Sequence, residues 1–549
     1  MKKYWILILA LLIGSFLRLY QLGLIPNALT WDEAALGYNA FSILKTGKDE
    51  YGTVLPIIFK SFGDFKPGLY VYLALPSVAI LGLTEFAVRL PGALFGILAI
   101  FGVFLLAKEI FWEERKARLI ASFAALGLAI MPLHVHFSRG AWETNVFSTI
   151  LLFSVYFLVK FVHTGRFLNW ALILGLLTFV TYQAAKMLTP LIIGLTILVF
   201  WKSFFTHLKT HLRKPLNFGL VSLAVAIVLY LFIGSTTGET GNRLKRLSIF
   251  GYRPEITEQT KKIDDNNNLS LSLFHSQSQL TVRLIAGRYL KHLSPKVLSY
   301  EGTTVVERGH FPALGALQPF DFIWLGLGFI FLIKIKNTKV IAFVLGLLFL
   351  SPLPGSLTIS DYSTVRSLFM TIPLAILLGL GYSYTYTKFK YIFYPVLGLT
   401  ILIFVYFIDL LFIHANYTYA REFQYGYREA IKFADRFPES KVVMTDVYGQ
   451  PYIFYLFYTR FDPASYQKIH NFESGGFDVG KVSKLDRVEF HQFSVGEFAT
   501  QPNTVFIGTV GNIPEDYKFD APEIETHEDV LYPNGEFAFR LIKTKTSEK

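Results

Sequence analysis

About eleven apolar runs, each long enough to cross a bilayer, decide what this 549-residue chain can fold into. The hydrocarbon core needs about 20 mainly apolar residues per helix, and a backbone in lipid must satisfy its own hydrogen bonds. The composition agrees, because 52% of the residues are hydrophobic and only 17% are charged. The predicted spans are 4–24, 88–107, 117–134, 146–162, 168–184, 187–201, 216–234, 319–334, 340–356, 366–385 and 391–413.

The loops between these runs differ in charge, and the difference predicts an orientation. If the N-terminus is cytoplasmic, most loop lysines and arginines also fall in the cytoplasm, and the short outer loops hold mainly Arg139, Lys186 and Arg366. This is the distribution that the positive-inside rule favours. A cleaved signal peptide is the alternative interpretation of the first run, but no small-residue cleavage site follows Leu24. We therefore expect a multi-pass protein of the cell membrane.

The net charge of +12 does not indicate nucleic-acid binding. Residues 415–549 carry 15 basic and 20 acidic side chains, so the positive excess lies in the loops of the first 414 residues and forms no patch on a soluble domain. The chain has no cysteine, which excludes disulfides, thiolate zinc sites and cysteine nucleophiles.

The predicted organisation has two domains. Residues 1–413 form a polytopic α-helical domain with a first outer loop at 25–87, which carries juxtamembrane helices, and a large outer loop at 235–318. Residues 414–549 are hydrophilic and long enough to fold alone, and alternating strand-like and helix-like stretches predict an extracytoplasmic α/β domain.

The first outer loop contains two adjacent acids at a predicted helix start. Thr30 followed three residues later by Glu33 is a capping-box pattern, and Gly47 is a suitable end for a helix running to about Leu44. Asp32 and Glu33 then lie about 100° apart around the axis and cannot share one target. One can face a substrate while the other caps the helix. The alternative is that both are first-turn acids favoured by the helix dipole.

A second feature of this loop is the segment around Asp64 and Lys66. Pro67 predicts the start of an interfacial helix over 69–83, because that apolar stretch is short and is interrupted by Pro76. Lys66 would lie at the start of that helix, where a cation needs an anion nearby. A lysine that snorkels to the interface is the alternative.

Charged residues also lie at the outer ends of later spans. Arg139 and Glu143 belong to a short link between two spans, where they can either bind a ligand or pair with each other. Arg366 at a span start, and Arg18 inside the first span, would each meet a lipid phosphate or simply snorkel to the headgroups.

This constellation resembles the polyprenyl-phosphate-sugar glycosyltransferases of the GT-C superfamily, in particular the protein O-mannosyltransferases and the aminoarabinose transferases. The resemblance covers residues 1–200 well, and later spans match in layout only. Gly68 departs from it, because a second proline is usual there. The motifs that carry it are Trp31-Asp32-Glu33-Ala34, Lys66-Pro67, Arg89-Leu90-Pro91 and Glu143.

The resemblance implies a membrane glycosyltransferase, hexosyl or pentosyl, that uses a polyprenyl-phosphate-linked sugar and inverts the anomeric carbon. Asp32 is the expected base within the catalytic acid pair that Glu33 completes, and Lys66 and Arg366 are expected to face the leaving phosphate. Asp64, Arg139 and Glu143 are the further substrate-binding candidates. No cofactor is implied, although the acids leave a divalent metal ion open as an alternative role.

The main competing function is a transporter or flippase of a lipid-linked sugar. Transporters tend to place charged groups near the bilayer midplane, often on broken helices of inverted repeats, whereas the acids here cluster in outer loops. The functions of a surface sensor and of an oligosaccharyltransferase also stay open. The sequence leaves the sugar open, and also whether the extracytoplasmic acceptor is a protein, a lipid or an envelope glycan.

Overall fold

A computed structural model of the chain describes residues 3–236, 277–301, 311, 313–473 and 480–546. The middle of the predicted large outer loop, 235–318, therefore lies outside the described residues. Helices dominate up to residue 419, and strands appear among the helices beyond it.

The described residues up to 236 form helices and one β-hairpin. Local signals explain several of their ends: Thr30 caps α2, Gly47 ends it in the left-handed conformation, and Thr84 caps α4. The elements are α1 (Trp5–Leu19), α2 (Trp31–Thr46), β1 (Ile58–Ser61), β2 (Asp64–Pro67), α3 (Leu69–Leu81), α4 (Glu85–Ile110), α5 (Ala117–Ala129), α6 (Pro132–Ser138), α7 (Glu143–Thr164), α8 (Leu168–Phe179), α9 (Ala185–Val199), α10 (Trp201–His211) and α11 (Pro215–Thr236).

The next described segment, up to residue 419, is helical as well. Its elements are the helices Gln277–His292, Asp321–Lys334, Thr338–Leu350, Leu353–Ser356, Thr364–Ser367, Thr371–Lys388, Lys390–Asp409 and Ala415–Tyr419, the 3₁₀ turn Leu368–Met370, and the π-helical turns Val297–Glu301 and Leu410–His414.

Five helical segments of the described residues are long and apolar enough to cross a membrane, which makes the chain a multi-pass membrane protein. The number rises to seven if each of two bent pairs counts as one span: α5 with α6, bent by 64°, and α9 with α10, bent by 99°. The predicted count of eleven is not confirmed. Other predicted spans, such as α1 and α8, are apolar helices of only 10 to 17 residues.

The described residues beyond 420 contain the strands β3 (Lys441–Met444), β4 (Phe472–Glu473), β5 (Lys481–Val482), β6 (Lys484–Leu485), β7 (Val488–Phe490), β8 (Thr504–Gly508), β9 (Ile524–Leu531) and β10 (Phe537–Thr544). Six of them form a mixed sheet of order β6-β7-β3-β8-β10-β9, in which β3 pairs in parallel with both β7 and β8 and the other neighbours are antiparallel. Strands β4 and β5 form a separate antiparallel ribbon. The helical elements of this part are Tyr427–Asp435, Pro451–Thr459, Pro463–Ile469 and the 3₁₀ turn Val495–Glu497.

Residues beyond 420, referred to below as the C-terminal domain, share a hydrophobic core with residues 25–87, referred to below as the first loop. One cluster of buried side chains contains Leu29, Tyr38 and Val71 of the loop together with Tyr452 and Phe457 of the domain. Polar contacts reinforce it: the Tyr38 hydroxyl donates to the Phe461 carbonyl at 3.1 Å, and the Gln467 amide donates to the Asp49 carbonyl at 2.8 Å. The domain therefore rests directly on the α2 region.

Arg18 corrects an expectation for the first span. The sequence suggests that it snorkels or meets a lipid phosphate, but its side chain is fully buried. Its guanidinium donates to the Ala129 carbonyl at 3.0 Å and to the Leu128 carbonyl at 3.3 Å, and lies 2.9 Å from His134 Nδ1. Arg18 thus joins α1 to the bend between α5 and α6, because a buried guanidinium needs acceptors that lipid tails lack.

Two packed helices touch backbone to backbone at glycines. A Cβ atom on Gly381, in helix Thr371–Lys388, would lie only 2.0 Å from the Trp324 carbonyl oxygen, and a Cβ on Gly328 would lie 2.1 Å from the Leu377 oxygen. Small residues allow such close approach between helices, where packing drives association in lipid. Any side chain at these positions must push helix Asp321–Lys334 away.

We therefore expect Gly381→Ala to lower the apparent thermal unfolding midpoint in detergent, since overpacking costs about 1–3 kcal/mol. Gly398→Ala is the matched control, because a Cβ there meets no atom within 4 Å and alanine favours the helix. Equal midpoints for the two variants would contradict the close contact.

Candidate active site

The start of α2 presents its two acids in different directions, as the predicted capping box requires. The Glu33 amide donates to Thr30 Oγ1 at 3.2 Å, and the Thr30 amide donates to Glu33 Oε2 at 3.1 Å, so the box is complete. The prediction that the two acids cannot share a target is confirmed: Glu33 pairs with Arg89, and Asp32 pairs with Lys66.

Glu33 is buried and all its described contacts are within the protein. Arg89 binds it through two bonds, Nε to Oε1 at 2.9 Å and Nη2 to Oε2 at 3.1 Å. The Ala141 amide adds a bond to Oε1 at 3.0 Å. With the Thr30 bond, each carboxylate oxygen accepts two hydrogen bonds. Glu33 therefore holds α2, α4 and the link before α7 together and leaves the neighbouring Asp32 outside this network.

The buried Arg89 also organises the chain that leads into α2. It donates to the carbonyls of Leu22 at 3.3 Å and Pro26 at 2.7 Å, and to that of Ala28. Arg139 acts in the same region and is likewise buried, with described bonds to the carbonyls of Leu17, Gln21 and Ile25 at 2.7, 3.3 and 3.0 Å. Both guanidiniums thus face the backbone of the turn that follows α1.

Lys66 lies on a β-hairpin and not at a helix start, which corrects the expectation from Pro67. Strands β1 and β2 pair so that Lys66 stands opposite Phe59 and Asp64 opposite Ser61. Phe62 and Gly63 both have positive φ, the geometry of the two-residue turns that join hairpin strands. Pro67 ends β2, and α3 begins at Leu69 after Gly68.

The hairpin brings Lys66 to Asp32, and the two side chains form an ion pair. The pair is only partly buried, with 20% of the Lys66 side chain and 42% of the Asp32 side chain exposed. The Lys66 ammonium also lies 5.4 Å from the centre of the Phe62 ring. A carboxylate and an ammonium are therefore held together where a ligand can reach them.

Other elements reach this region through backbone contacts. The Leu69 backbone amide donates to the Val180 carbonyl at 3.1 Å, and the Gln183 side-chain amide donates to the Phe65 carbonyl at 3.3 Å, which ties the hairpin to the turn between α8 and α9. The Thr144 hydroxyl donates to the Val365 carbonyl at 2.6 Å. This bond joins the first turn of α7 to helix Thr364–Ser367.

The remaining predicted site residues lie on these same elements. Asp64 is buried at the tip end of β2, and Glu143 is the half-buried first residue of α7. Arg366, also half-buried, donates to Ser363 Oγ at 3.1 Å. Among the described residues, no group of three histidine, aspartate or glutamate side chains is close enough to hold a metal ion.

Glu50 is a titratable residue of the first loop that sequence reasoning missed. It is fully buried, its Oε1 accepts from Asn39 at 2.9 Å, and its Oε2 accepts no hydrogen bond from the described residues. Burial raises the pKa of Glu50 to about 8, with Asp49 adding to the shift while Asn39, Lys60 and Lys66 oppose it. Only the folded loop creates this environment, so no sequence signal identifies it.

A cavity of about 400 Å³ lies between the first loop and the C-terminal domain, and neither Asp32 nor Lys66 is among its lining residues. Trp31 and Phe62 line it from the loop, and they neighbour Asp32 in sequence and Lys66 in space, respectively. The domain contributes Asp446, Tyr452 and other residues. This cavity had no signal in the sequence, because it forms where two separate parts of the chain meet.

Residues 66–233 match the family model described as dolichyl-phosphate-mannose-protein mannosyltransferase. The match begins at Lys66 and covers α3 to α11, so the predicted resemblance to the protein O-mannosyltransferases is confirmed for this part of the chain. A search of curated protein sequences finds no significant match.

Solved structures give similar but distant relatives. The oligosaccharyltransferase AglB from Archaeoglobus fulgidus, in complex with an inhibitory peptide and a dolichol-phosphate, is 14% identical with a TM-score of 0.44. The alignment covers 83% of this chain and 64% of AglB, so the chain spans less than two thirds of that protein. ArnT from Cupriavidus metallidurans, bound to undecaprenyl phosphate, is 13% identical with a TM-score of 0.43, with 99% of this chain and 98% of that chain covered.

Replacing Arg89 tests the network around Glu33. Arg89→Ala leaves a buried, uncompensated carboxylate, and we expect it to destabilise the protein by about 3–5 kcal/mol, seen as a large fall in the thermal midpoint. Arg436→Ala is the control, because its pair with Glu528 is half exposed, at 54% and 49%, and such pairs contribute about 0–1 kcal/mol. A similar small fall for both variants would contradict the central role of Arg89.

Glu50 gives the protein a specific pH dependence. Between its ordinary pKa of 4.5 and the raised value of about 8, the unfolded chain releases a proton that the folded chain retains. Stability should therefore fall as the pH rises through this window, by at most about 1.4 kcal/mol per pH unit. Glu50→Gln, which mimics the protonated acid, should raise the midpoint at pH 8 and change it little at pH 5. A difference that is constant with pH would argue against a protonated Glu50.

Proposed function

We propose that the protein is an inverting glycosyltransferase that moves one sugar from a polyprenyl-phosphate carrier to an acceptor on the extracytoplasmic side of the membrane. The observation that carries the proposal is the accessible Asp32–Lys66 ion pair in the first outer loop. The match of residues 66–233 to a family whose name specifies a dolichyl-phosphate-linked sugar supports the choice of donor.

The pair supplies a base and a cation. The contact between them weakens when the donor binds. The donor phosphate attracts the Lys66 ammonium, which then interacts with the phosphate as well as with Asp32. A carboxylate that loses part of its counter-charge becomes more basic. Binding of the donor phosphate thus makes Asp32 a better proton acceptor.

In the transfer step, an acceptor hydroxyl oxygen attacks the anomeric carbon from the face opposite the phosphate. The new carbon–oxygen bond forms as the bond to the phosphate oxygen breaks, and its electron pair leaves with the polyprenyl phosphate. The acceptor proton goes to Asp32. A leaving phosphate needs charge stabilisation, and Lys66 and Arg366 provide it. A single displacement of this kind inverts the anomeric carbon.

The other candidates receive supporting roles in this proposal. Glu33 positions Asp32 through its bonds to Arg89 and Ala141 and does not contact reacting atoms. Asp64 and Glu143 orient the substrates from the hairpin and from the first turn of α7. Arg139 fixes the turn after α1 through its backbone bonds. No step is assigned to a metal ion.

Asp32→Asn should lower transfer by about 10²–10⁴, the usual contribution of a positioned acid–base group. Lys66→Met should lower it by about 10²–10³, because the developing phosphate charge loses its cation. The measurement is mass spectrometry of envelope glycans from cells that carry each variant.

Lys60→Met is the matched control, because Lys60 lies on β1 of the same hairpin and contacts the rings of Tyr51 and Phe472. It should leave the glycans near the wild-type level. Wild-type glycans in Asp32→Asn cells would refute the assigned base. Intact glycan products combined with arrested movement of the lipid-linked sugar would instead favour a transporter.

A further inference from the structure

The cavity lined by Trp31 and Phe62 lies at a position in the C-terminal sheet that suits a small ligand. Asp446 follows β3 by two residues and His491 follows β7 directly, and these strands are parallel. Both residues line the cavity. In α/β sheets, ligands bind outside the carboxyl ends of parallel strands, because the side chains and loops that follow the strands converge there.

A buried amide holds the two walls of the cavity at a fixed spacing. Gln424 accepts a hydrogen bond from the Trp31 amide at 2.9 Å and donates one to the Tyr448 carbonyl at 3.1 Å. The Trp31 ring also packs against Gly449, where a Cβ would lie 3.4 Å from it. The start of α2, which carries Asp32, and the loop after β3 therefore move as one unit.

The lining combines aromatic residues with polar groups that can form hydrogen bonds to a ligand. Trp31 supplies a partly exposed ring, whereas the rings of Phe62 and Tyr452 lie almost fully buried behind the surface. Asp446 Oδ2 lies 3.2 Å from Lys481 Nζ, and Gln492 and Lys481 hold the pKa of Asp446 below its usual value although partial burial opposes them. Gln450 also lines the cavity, and its buried Oε1 accepts no hydrogen bond from the described residues.

This chemistry favours a neutral saccharide. A sugar ring has a C–H face that packs on aromatic rings and hydroxyls that both donate and accept hydrogen bonds, which suits Asp446, Lys481 and Gln450. The lining carries charges of both signs, because Glu473 and Asp446 lie there with Lys481. The cavity therefore does not favour a polyanion as its ligand. A volume of about 400 Å³ is within the range of small-molecule sites.

We propose that this cavity is the acceptor site and that the acceptor is the hydroxyl of a neutral saccharide, an inference that rests on the proposed function. Asp446, Lys481 and Gln450 bind the hydroxyls that do not react. The reacting hydroxyl is directed past Trp31 towards Asp32.

Binding without donor tests this assignment independently of catalysis. The probes are maltose, cellobiose, mannobiose and N,N′-diacetylchitobiose, with a capped Ser- and Thr-containing hexapeptide for comparison, measured by saturation-transfer NMR on the full chain in nanodiscs. At least one disaccharide should bind, and the hexapeptide should not. Asp446→Ala should weaken that binding by about 10- to 100-fold, the loss expected for hydrogen bonds to a charged group.

Glu528→Gln is the control, because Glu528 lies on the edge strand β9 in an exposed pair with Arg436, and it should bind as wild type. Gln450→Leu provides a second cavity variant if Asp446→Ala fails to fold. Failure of every disaccharide to bind, binding that survives both cavity variants, or hexapeptide binding that Asp446→Ala abolishes would each overturn the saccharide assignment.

A different measurement tests the proposed transfer reaction, so the two proposals can fail separately. Asp32→Asn should retain disaccharide binding while losing transfer, whereas the cavity variants should raise the KM for the acceptor. Saccharide binding in a protein whose Asp32→Asn cells keep normal glycans would support the cavity assignment and reject the catalytic one.

Discussion

The buried ion pair between Glu33 and Arg89 is the constraint on which the rest of the site depends. Two charges inside a protein are stable only if every hydrogen-bonding group is satisfied, and here each Glu33 oxygen accepts two bonds while Arg89 reaches three further carbonyls. These bonds join the end of the turn after α1, the starts of α2 and α4, and the link before α7. The network therefore fixes the helix start that carries Asp32.

Helix geometry then directs the side chains of the two adjacent acids to different partners. Successive side chains differ by about 100°, so when Glu33 faces the interior, Asp32 faces the hairpin and Lys66. The rigid network thus presents a partly exposed carboxylate beside a cation. In the proposed reaction this exposure matters, because the donor phosphate and the acceptor hydroxyl must both reach the pair.

The C-terminal domain packs against the same helix. Tyr38 and Gln467 attach α2 to the domain, and Gln424 links the α2 start to the loop after β3. Movement of the domain would therefore change the cavity and the position of Asp32 together. Glu50 is buried and interacts electrostatically with Tyr38 of α2 and Tyr452 of the C-terminal domain, so its protonation is coupled to the packing between loop and domain.

The sequence by itself determined the apolar helices, the α2 capping box and the separation of Asp32 from Glu33, because these depend on periodicity and neighbours close in the chain. It places the candidate Lys66 at a helix start, whereas the turn at Phe62-Gly63 puts this residue on a hairpin strand. Only the tertiary structure decided that Arg89 satisfies Glu33, that Arg18 and Arg139 face backbone carbonyls, and that Glu50 is buried. Such outcomes depend on contacts between residues tens to hundreds of positions apart, which local pattern does not encode.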